Sequence, residues 1–424
     1  MSRRLSAVGA TCGALALTMV GAIPSASAAE APEGWHLTAM KAREMWKTST
    51  GDGVTVAVID SGVNPQTPSL KGQVIEDGIS GTAGYKATVD TDGHGTSMAE
   101  NIAGTGAGGG IKGLAPGAKI LPIRLGIDLS KSEKKKAPTV AQAIRAAADS
   151  DARIINMSFG APWIRDEDVA AVRYAYSKGK LLFASVGNDA GKKSPEGKNI
   201  GYPAGYPYVV GVAAVDKAST VGKFSEQGAD VDLAAPGLDL SGWCDDTFTR
   251  YCPAQGTSYA AAIASASAAL IWSVHPEWTN NQVLNALIET AGRDWPREET
   301  SVYLGHGLVR PRIVLADPKF DPGAPDVDPL LKQHEVMFKS LEVFQPIPSP
   351  TPTTPADASS KTPAGGAEPV PGGKGEEAGA TDTDTAAAQD GDSGALWPIA
   401  GAAAAVVVLG GVVAFVVMRK RRTA

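Results

Sequence analysis

Cysteine is scarce in this chain, with three among 424 residues, at positions 12, 244 and 252. That is too few for a metal centre built on thiolates, and Cys12 lies in a segment expected to be removed. Clusters of basic and aromatic residues are missing too, and the formal net charge is −6 at pH 7. Both features argue against nucleic acid as a partner. The short run Lys131 to Lys136 (KSEKKK) reads as a solvated loop. Aromatic residues vanish between Pro346 and Ala395, where Pro, Ala, Gly, Thr and Asp dominate. Such a segment cannot bury enough apolar surface to offset its ordering entropy, so residues 346–395 are expected to form a linker. As flexible chain, those 50 residues average roughly 40 Å end to end. The next segment lacks charge, from Leu396 to Met418. Its 23 residues, at about 1.5 Å each, span roughly 34 Å, enough for a hydrocarbon core of about 30 Å. Trp397 marks one boundary and Arg419-Lys420-Arg421-Arg422 follows the other. Because basic residues stay on the cytoplasmic side, 396–418 reads as one transmembrane helix with a cytoplasmic tail at 419–424.

At the other end Arg3 and Arg4 precede an apolar run from Leu5 to Ile23, and Ala26-Ser27-Ala28 fits a signal-peptide cleavage site. Residues 1–28 are therefore expected to be a signal peptide, with the bulk of the chain outside the cell. In that oxidising space Cys244 and Cys252 remain as an even pair. They are expected to close a small surface loop, stabilising it by about 2–3 kcal/mol on chain-entropy grounds. Residues 29–52 form a short N-terminal extension and 53–318 a globular domain. Beyond it, Leu330 to Phe344 (LLKQHEVMFKSLEVF) has helical apolar spacing. Residues 319–345 thus read as a helix packing either on the domain or on the membrane surface, and the spacing leaves both open.

Within the domain, four apolar, β-branched runs alternate with helical segments. The runs are Gly53 to Gly62, Ala152 to Gly160, Lys180 to Asn188 and Tyr208 to Val215; TVAQAIRAAADS and RDEDVAAVRYAYSKG carry helical periodicity. Continuous apolar strands between helices imply an α/β fold, with a parallel sheet covered on both faces. In such sheets, sites form beyond the carboxyl ends of the strands, where Asp60 and Asn188 fall.

The stretch QGTSYAAAIASASAAL, Gln255 to Leu270, admits two readings of Ser258. It is the N-cap of a small-residue helix, or it is a nucleophile at that helix's mouth. Two other patterns decide between them: VAVIDSGV, with Asp60 ending a buried strand, and DGHGTSMAENIAG, with His94 opening a small-residue helix. A nucleophilic serine needs a base for its proton and a carboxylate to orient that base. Asp, His and Ser in this chain order is one of the arrangements that supply them.

These motifs resemble those of the subtilisin family, peptidase family S8. The resemblance runs from about Gly51 to Leu315 and includes GLAPGAKILPIR, IINMSFG, SVGNDAG, YPAGYPYVVGVAAV, FSEQGADVDLAAPG and GHGLVRP, in the family's order. It implies a subtilisin-like three-layer α/β domain with a mostly parallel central sheet, and a serine endopeptidase acting on polypeptide substrates. By resemblance Asp60 orients the imidazole, His94 is general base and then acid, and Ser258 attacks the scissile carbonyl. Asn188 matches the side-chain donor of the oxyanion hole, beside the Ser258 N–H. Substrate is then expected to lie as an added strand against Ser158, Phe159 and Gly160, with Ala184, Ser185, Val186 and Gly187 lining the pocket. Phe159 reads equally well as core. Signal peptide, S8 domain, Pro-rich linker, single C-terminal helix and basic tail together resemble the mycosins, membrane-anchored proteases associated with type VII secretion in actinobacteria. The short extension with its Trp and Leu anchors, and the cysteine pair before the serine block, suit that group. The partners so implied are the membrane and a type VII secretion complex. The competing reading is a structural partner of that complex in which proteolysis is dispensable.

Three departures stand out. Ala262 occupies the position where most of the family has proline; alanine is an excellent helix former and should spare the chemistry. Tyr259 replaces the usual Met or Phe and is expected to narrow the leaving-group side. The family's calcium loops are not recognisable in GTGAGGGIKG, so no metal and no cofactor is expected.

Overall fold

The strands named above form because β-branched residues suit a pleated surface buried on both faces. The structure, a computed structural model, describes residues 31, 33–76, 86–126, 136–191 and 200–340. The expected signal peptide (1–28), linker, transmembrane helix and tail lie outside the described residues. Six strands make one parallel sheet in the order β2-β1-β3-β4-β5-β6. They are β1 Thr55–Asp60, β2 Lys119–Arg124, β3 Ile154–Met157, β4 Leu181–Ser185, β5 Val209–Val215 and β6 Leu233–Pro236. A second, antiparallel pair is β7 Leu240–Trp243 with β8 Tyr251–Ala254, and Cys244 and Cys252 are disulfide-bonded at its end.

Alternate residues of each strand go to opposite faces, as a period of two requires. Val56 and Val58 of β1 join one apolar cluster, Ala57 and Ile59 the other. The second face is covered by α4, Val140–Ala148, and α5, Asp166–Ser177, through Ile144, Ala147, Val169 and Val172. Thr139 and Gln142 form a reciprocal capping box at the start of α4, and Gly179 at φ 75 follows the end of α5. The first face carries α3, His94–Ala103, α6, Thr257–Val274, and α7, Asn280–Glu289.

Helix α6 sets the geometry of the first face. Ala260, Ala261, Ala262, Ala264, Ala266, Ala268 and Ala269 are all fully buried, and such short side chains let the helix axis lie close under the sheet. Among the described residues it is the one helix long and apolar enough to cross a membrane. Yet 89% of it is buried inside the domain, so it is the core helix of a globular fold.

Both ends of the described chain are sewn to this core. Upstream are α1, Trp35–Ala39, and α2, Ala42–Met45. Leu37, Met40 and Met45 enter the first cluster, while the indole N–H groups of Trp35 and Trp46 donate to Leu238 O (2.8 Å) and Leu114 O (2.9 Å). Downstream, after α8 (Pro311–Ala316), the chain runs to α9, Glu335–Ser340. Of the two sites left open for residues 319–345, the described part occupies the domain. Leu330 joins the first cluster and Phe338 the second, where its ring meets Tyr208 edge-on at 5.3 Å.

Polar pairing fixes this last segment. Gln333 Nε2 donates to Asp232 Oδ1 (2.8 Å) and Ala229 O (2.9 Å), and His334 Nε2 lies 3.1 Å from Asp232 Oδ1. Asp232 also accepts from the Gly211 N–H at 2.7 Å. Burial pulls the His334 imidazole down, but the Asp232 carboxylate outweighs it and holds the ring above the ordinary histidine value. Asp232→Ala strands several buried donors at once and should cost about 3–5 kcal/mol in chemical denaturation. A loss below about 1 kcal/mol contradicts this pairing as the clamp of the C-terminal segment.

Candidate active site

The catalytic candidates gather at the carboxyl edge of the sheet, where parallel strands leave a crevice. Asp60 is the last residue of β1, Ser158 follows β3, and Asn188 follows β4. Asp60 is 1% exposed; its Oδ1 accepts from the Ser61 N–H (2.7 Å) and meets His94 Nδ1 at 2.8 Å. The other carboxylate oxygen is buried without a partner. Paired with an acceptor at Nδ1, a neutral His94 carries its proton there and leaves Nε2 as the free lone pair.

His94 is the first residue of α3, and its approach to β1 depends on glycine. A Cβ on Gly95 would lie 2.1 Å from Gly62 O and 3.0 Å from the Asp60 Cβ, so no larger residue fits. Asp90 knits the turn together: its carboxylate accepts from Ser61 Oγ (2.9 Å), from the Gly93 N–H (2.9 Å) and from the Thr96 N–H (2.9 Å). Burial pulls the His94 imidazole down, whereas Asp60, by charge and hydrogen bond, and then Asp92 and Asp90 raise it, and the balance is about 9. The side chain remains one-third exposed, at 33%, so the ring is reachable from outside.

Ser258 is the second residue of α6 and is 6% exposed. It makes a reciprocal pair with Ser158: Ser258 Oγ donates to Ser158 O, and Ser158 Oγ donates to Ser258 O, both at 3.1 Å. Asn156 Nδ2 donates to Ser158 Oγ (3.0 Å), and Ser265 Oγ donates to Asn156 Oδ1 (3.1 Å), so β3 and α6 are tied side by side. The first N–H groups of α6 have no intrahelical acceptor and concentrate positive potential beside Ser258. Asn188 is exposed, yet its amide is oriented. Oδ1 accepts from both the N–H and the hydroxyl of Thr257 at 2.9 Å, which turns Nδ2 outward as a donor beside Gly256. Tyr259, next in the chain to Ser258, and Ser97 of α3 meet at one point of the hairpin: a Cβ on Gly242 would lie 2.1 Å from the Tyr259 hydroxyl oxygen and 3.2 Å from Ser97 Oγ, so the start of α6 and α3 are neighbours.

The residues expected to line the substrate pocket are disposed less uniformly. Gly160 is exposed, and Phe159 is half-buried against the second cluster. Ala184 and Val186 are fully buried in that cluster and Ser185 nearly so. Their side chains offer a substrate no surface, because β4 lies in the middle of a sheet covered on both faces; the accessible part of that segment is Gly187. Among the described residues no three His, Cys, Asp or Glu are grouped to hold a metal ion. A cavity of about 510 Å³ lies elsewhere, between the N-terminal segment and the loop after α3, and none of Asp60, His94, Asn188 or Ser258 lines it. Sequence reasoning missed Asp90, Asn156, Ser265 and Ser97, small polar residues whose partners lie far along the chain.

Comparison with known proteins agrees with this fold. The subtilase family, Peptidase S8, matches residues 51–312. Subtilisin Savinase of Lederbergia lenta is 33% identical over 260 residues, which cover 61% of this chain and 90% of that protein. Among solved structures, MycP1 from Mycobacterium smegmatis is 26% identical over 70% of this chain and 88% of its own, with a TM-score of 0.57. MycP3, a protease from the type VII (ESX-3) secretion system, is 31% identical over 68% of this chain and 91% of its own, with a TM-score of 0.54. The chain therefore belongs to the subtilase family, peptidase family S8, and is a subtilisin-like serine endopeptidase related to the mycosins.

Proposed function

We propose that the chain is a membrane-anchored, extracytoplasmic endopeptidase working through Asp60, His94 and Ser258, with Asn188 as oxyanion donor. The observation that supports this reading is the 2.8 Å contact between the buried Asp60 carboxylate and His94 Nδ1; Ser258 stands at a helix N-terminus. The Ser258 proton now rests on the Ser158 carbonyl, and rotation about χ1 turns it towards His94 Nε2. His94 takes the proton as Ser258 Oγ adds to the scissile carbonyl. The oxyanion is met by Asn188 Nδ2 and the Ser258 N–H. Collapse passes the proton from His94 to the leaving amine, and water repeats the sequence to release the acyl group. Asp60 stays ionised throughout and stabilises the imidazolium.

The membrane reading rests on the sequence of residues 1–28 and 396–422. Its link to type VII secretion rests on the likeness to MycP3, which comes from such a system. Tethering favours a few exported polypeptides near the anchor over general scavenging.

Purified full-length protein should react with a fluorophosphonate probe, and Ser258→Ala should abolish the labelling. A folded wild type that stays unlabelled sinks the enzyme mechanism. Asn188→Ala should lower kcat by about 10²–10³ with little change in KM, because the donor serves charge present only in the transition state; a loss under about threefold excludes that role. His94 must be neutral to act as base, and its pKa is raised. Hence kcat/KM should climb with pH along an acid limb centred above the ordinary histidine value of 6.5. A midpoint at or below 6.5 contradicts the Asp60 pairing as its cause.

A further inference from the structure

Ser258 and Ser265 stand two helical turns apart on α6 and so share one face of it. Asn156, in β3, and Ser158, just beyond its end, are separated by the period of a strand and share a face too. The two faces meet through a continuous run of hydrogen bonds. Ser265 Oγ donates to Asn156 Oδ1 at 3.1 Å, Asn156 Nδ2 donates to Ser158 Oγ at 3.0 Å, and Ser158 Oγ donates to Ser258 O at 3.1 Å. Ser258 Oγ, the proposed nucleophile, donates back to Ser158 O at 3.1 Å. None of the four residues is more than 6% exposed.

The direction of this run is forced from its far end. Ser258 O is a carbonyl and can only accept, so Ser158 Oγ spends its one proton there. Ser158 Oγ must then accept from the Asn156 amide N–H, which turns the amide oxygen towards Ser265 as an acceptor. Between the two serines α6 carries Ala260, Ala261, Ala262, Ile263 and Ala264, a nearly smooth surface whose packing resists sliding weakly. A single polar contact between helix and strand would be a pivot. Two contacts two turns apart fix both the slide and the rotation of the helix. Ser267 is as fully buried as Ser265, but it spends its hydroxyl on Ile263 O of its own helix at 2.8 Å, a bond that leaves the register untouched.

We infer that Ser265 and Asn156 are positioning residues for the nucleophile: acting through Ser158, they set where along β3, and at what rotation, Ser258 is presented. Neither carries a reacting atom. The role rests on the Asp60-His94-Ser258 reading above. It differs from plain core packing because it ties a loss in the chemical step to one buried hydroxyl and not to its neighbour on the same helix.

The test compares wild type, Ser265→Ala, Ser158→Ala, their double variant and Ser267→Ala as full-length protein. Active sites are counted with the fluorophosphonate probe, and kcat and KM are measured per active site on a fluorogenic peptide. Displacing the nucleophile by a fraction of an ångström is expected to lower kcat about tenfold in Ser265→Ala, with KM within about twofold. Ser158→Ala cuts the same run nearer its end, so adding Ser265→Ala to it should change kcat by less than about twofold. Ser267→Ala should keep kcat within about twofold, whatever it does to the melting temperature. Ser265→Cys, with a weak donor in place of the hydroxyl, stands in for the alanine variant if that one does not fold. The inference is overturned if the Ser265 variant keeps kcat within about twofold, if Ser267→Ala loses as much, or if the Ser265 and Ser158 losses multiply. An unlabelled, inactive wild type refutes the triad reading itself and is thereby told apart from failure of the positioning role.

Discussion

A helix of small side chains lying close beneath a parallel sheet is the constraint on which the rest of this structure depends. From Ala260 to Ala269 the residues of α6 are buried, and only such short side chains permit the approach. The same run has the composition of a membrane segment and functions here as the core. Because the helix is held along its length, its first turn cannot drift, and Ser258 is delivered to the edge where β1 and β3 end. The Asn156, Ser158 and Ser265 side chains then lock helix to sheet through polar contacts that tolerate no sliding.

Electrostatics is built on that frame. Asp60 is taken out of water at the strand end with one oxygen unpartnered, so its charge is offset chiefly by the imidazole beside it. An ion pair of this kind is costly to assemble and costly to break. The fold meets the cost of assembly with backbone: Gly95 lets α3 start almost on top of β1, and Asp90 ties the turn through three donors. The reach of the peptide beyond its family boundaries follows the same pattern. Residues 330–340 lie outside the matched 51–312, yet they are fastened by Asp232, a fully buried carboxylate with several donors.

Much of this was legible in the sequence, and the reasons are local. β1, β3, β4 and β5 fall inside the apolar runs read as strands, and Thr139 caps α4 where the helical period begins. β2 was not read as a strand on its own pattern, because KILPIR carries Pro122 in its middle; the sheet order explains it, since β2 is an edge strand and can spare a donor. Asp60, His94, Asn188 and Ser258 were legible as a set because chain order and strand-end or helix-start context are sequence properties. The hydrogen bond from the Trp243 N–H to Ser97 Oγ was not, because it unites residues about 150 positions apart whose types are unremarkable alone. Burial of Ala184 and Val186 follows from reading Lys180 to Asn188 as a strand covered on both faces, and it leaves their side chains no part in the pocket that the resemblance implied. At Ala262 the helix simply continues, which is what alanine's propensity implies.

Catalysis as proposed requires that His94 activate Ser258 and that nothing else in the chain share that reactivity. Peptide mapping after treatment of full-length protein with phenylmethylsulfonyl fluoride tests this most directly. A sulfonyl adduct confined to the peptide containing Ser258, and lost in His94→Ala, is the predicted result. An adduct on another residue, or one formed equally in His94→Ala, contradicts it.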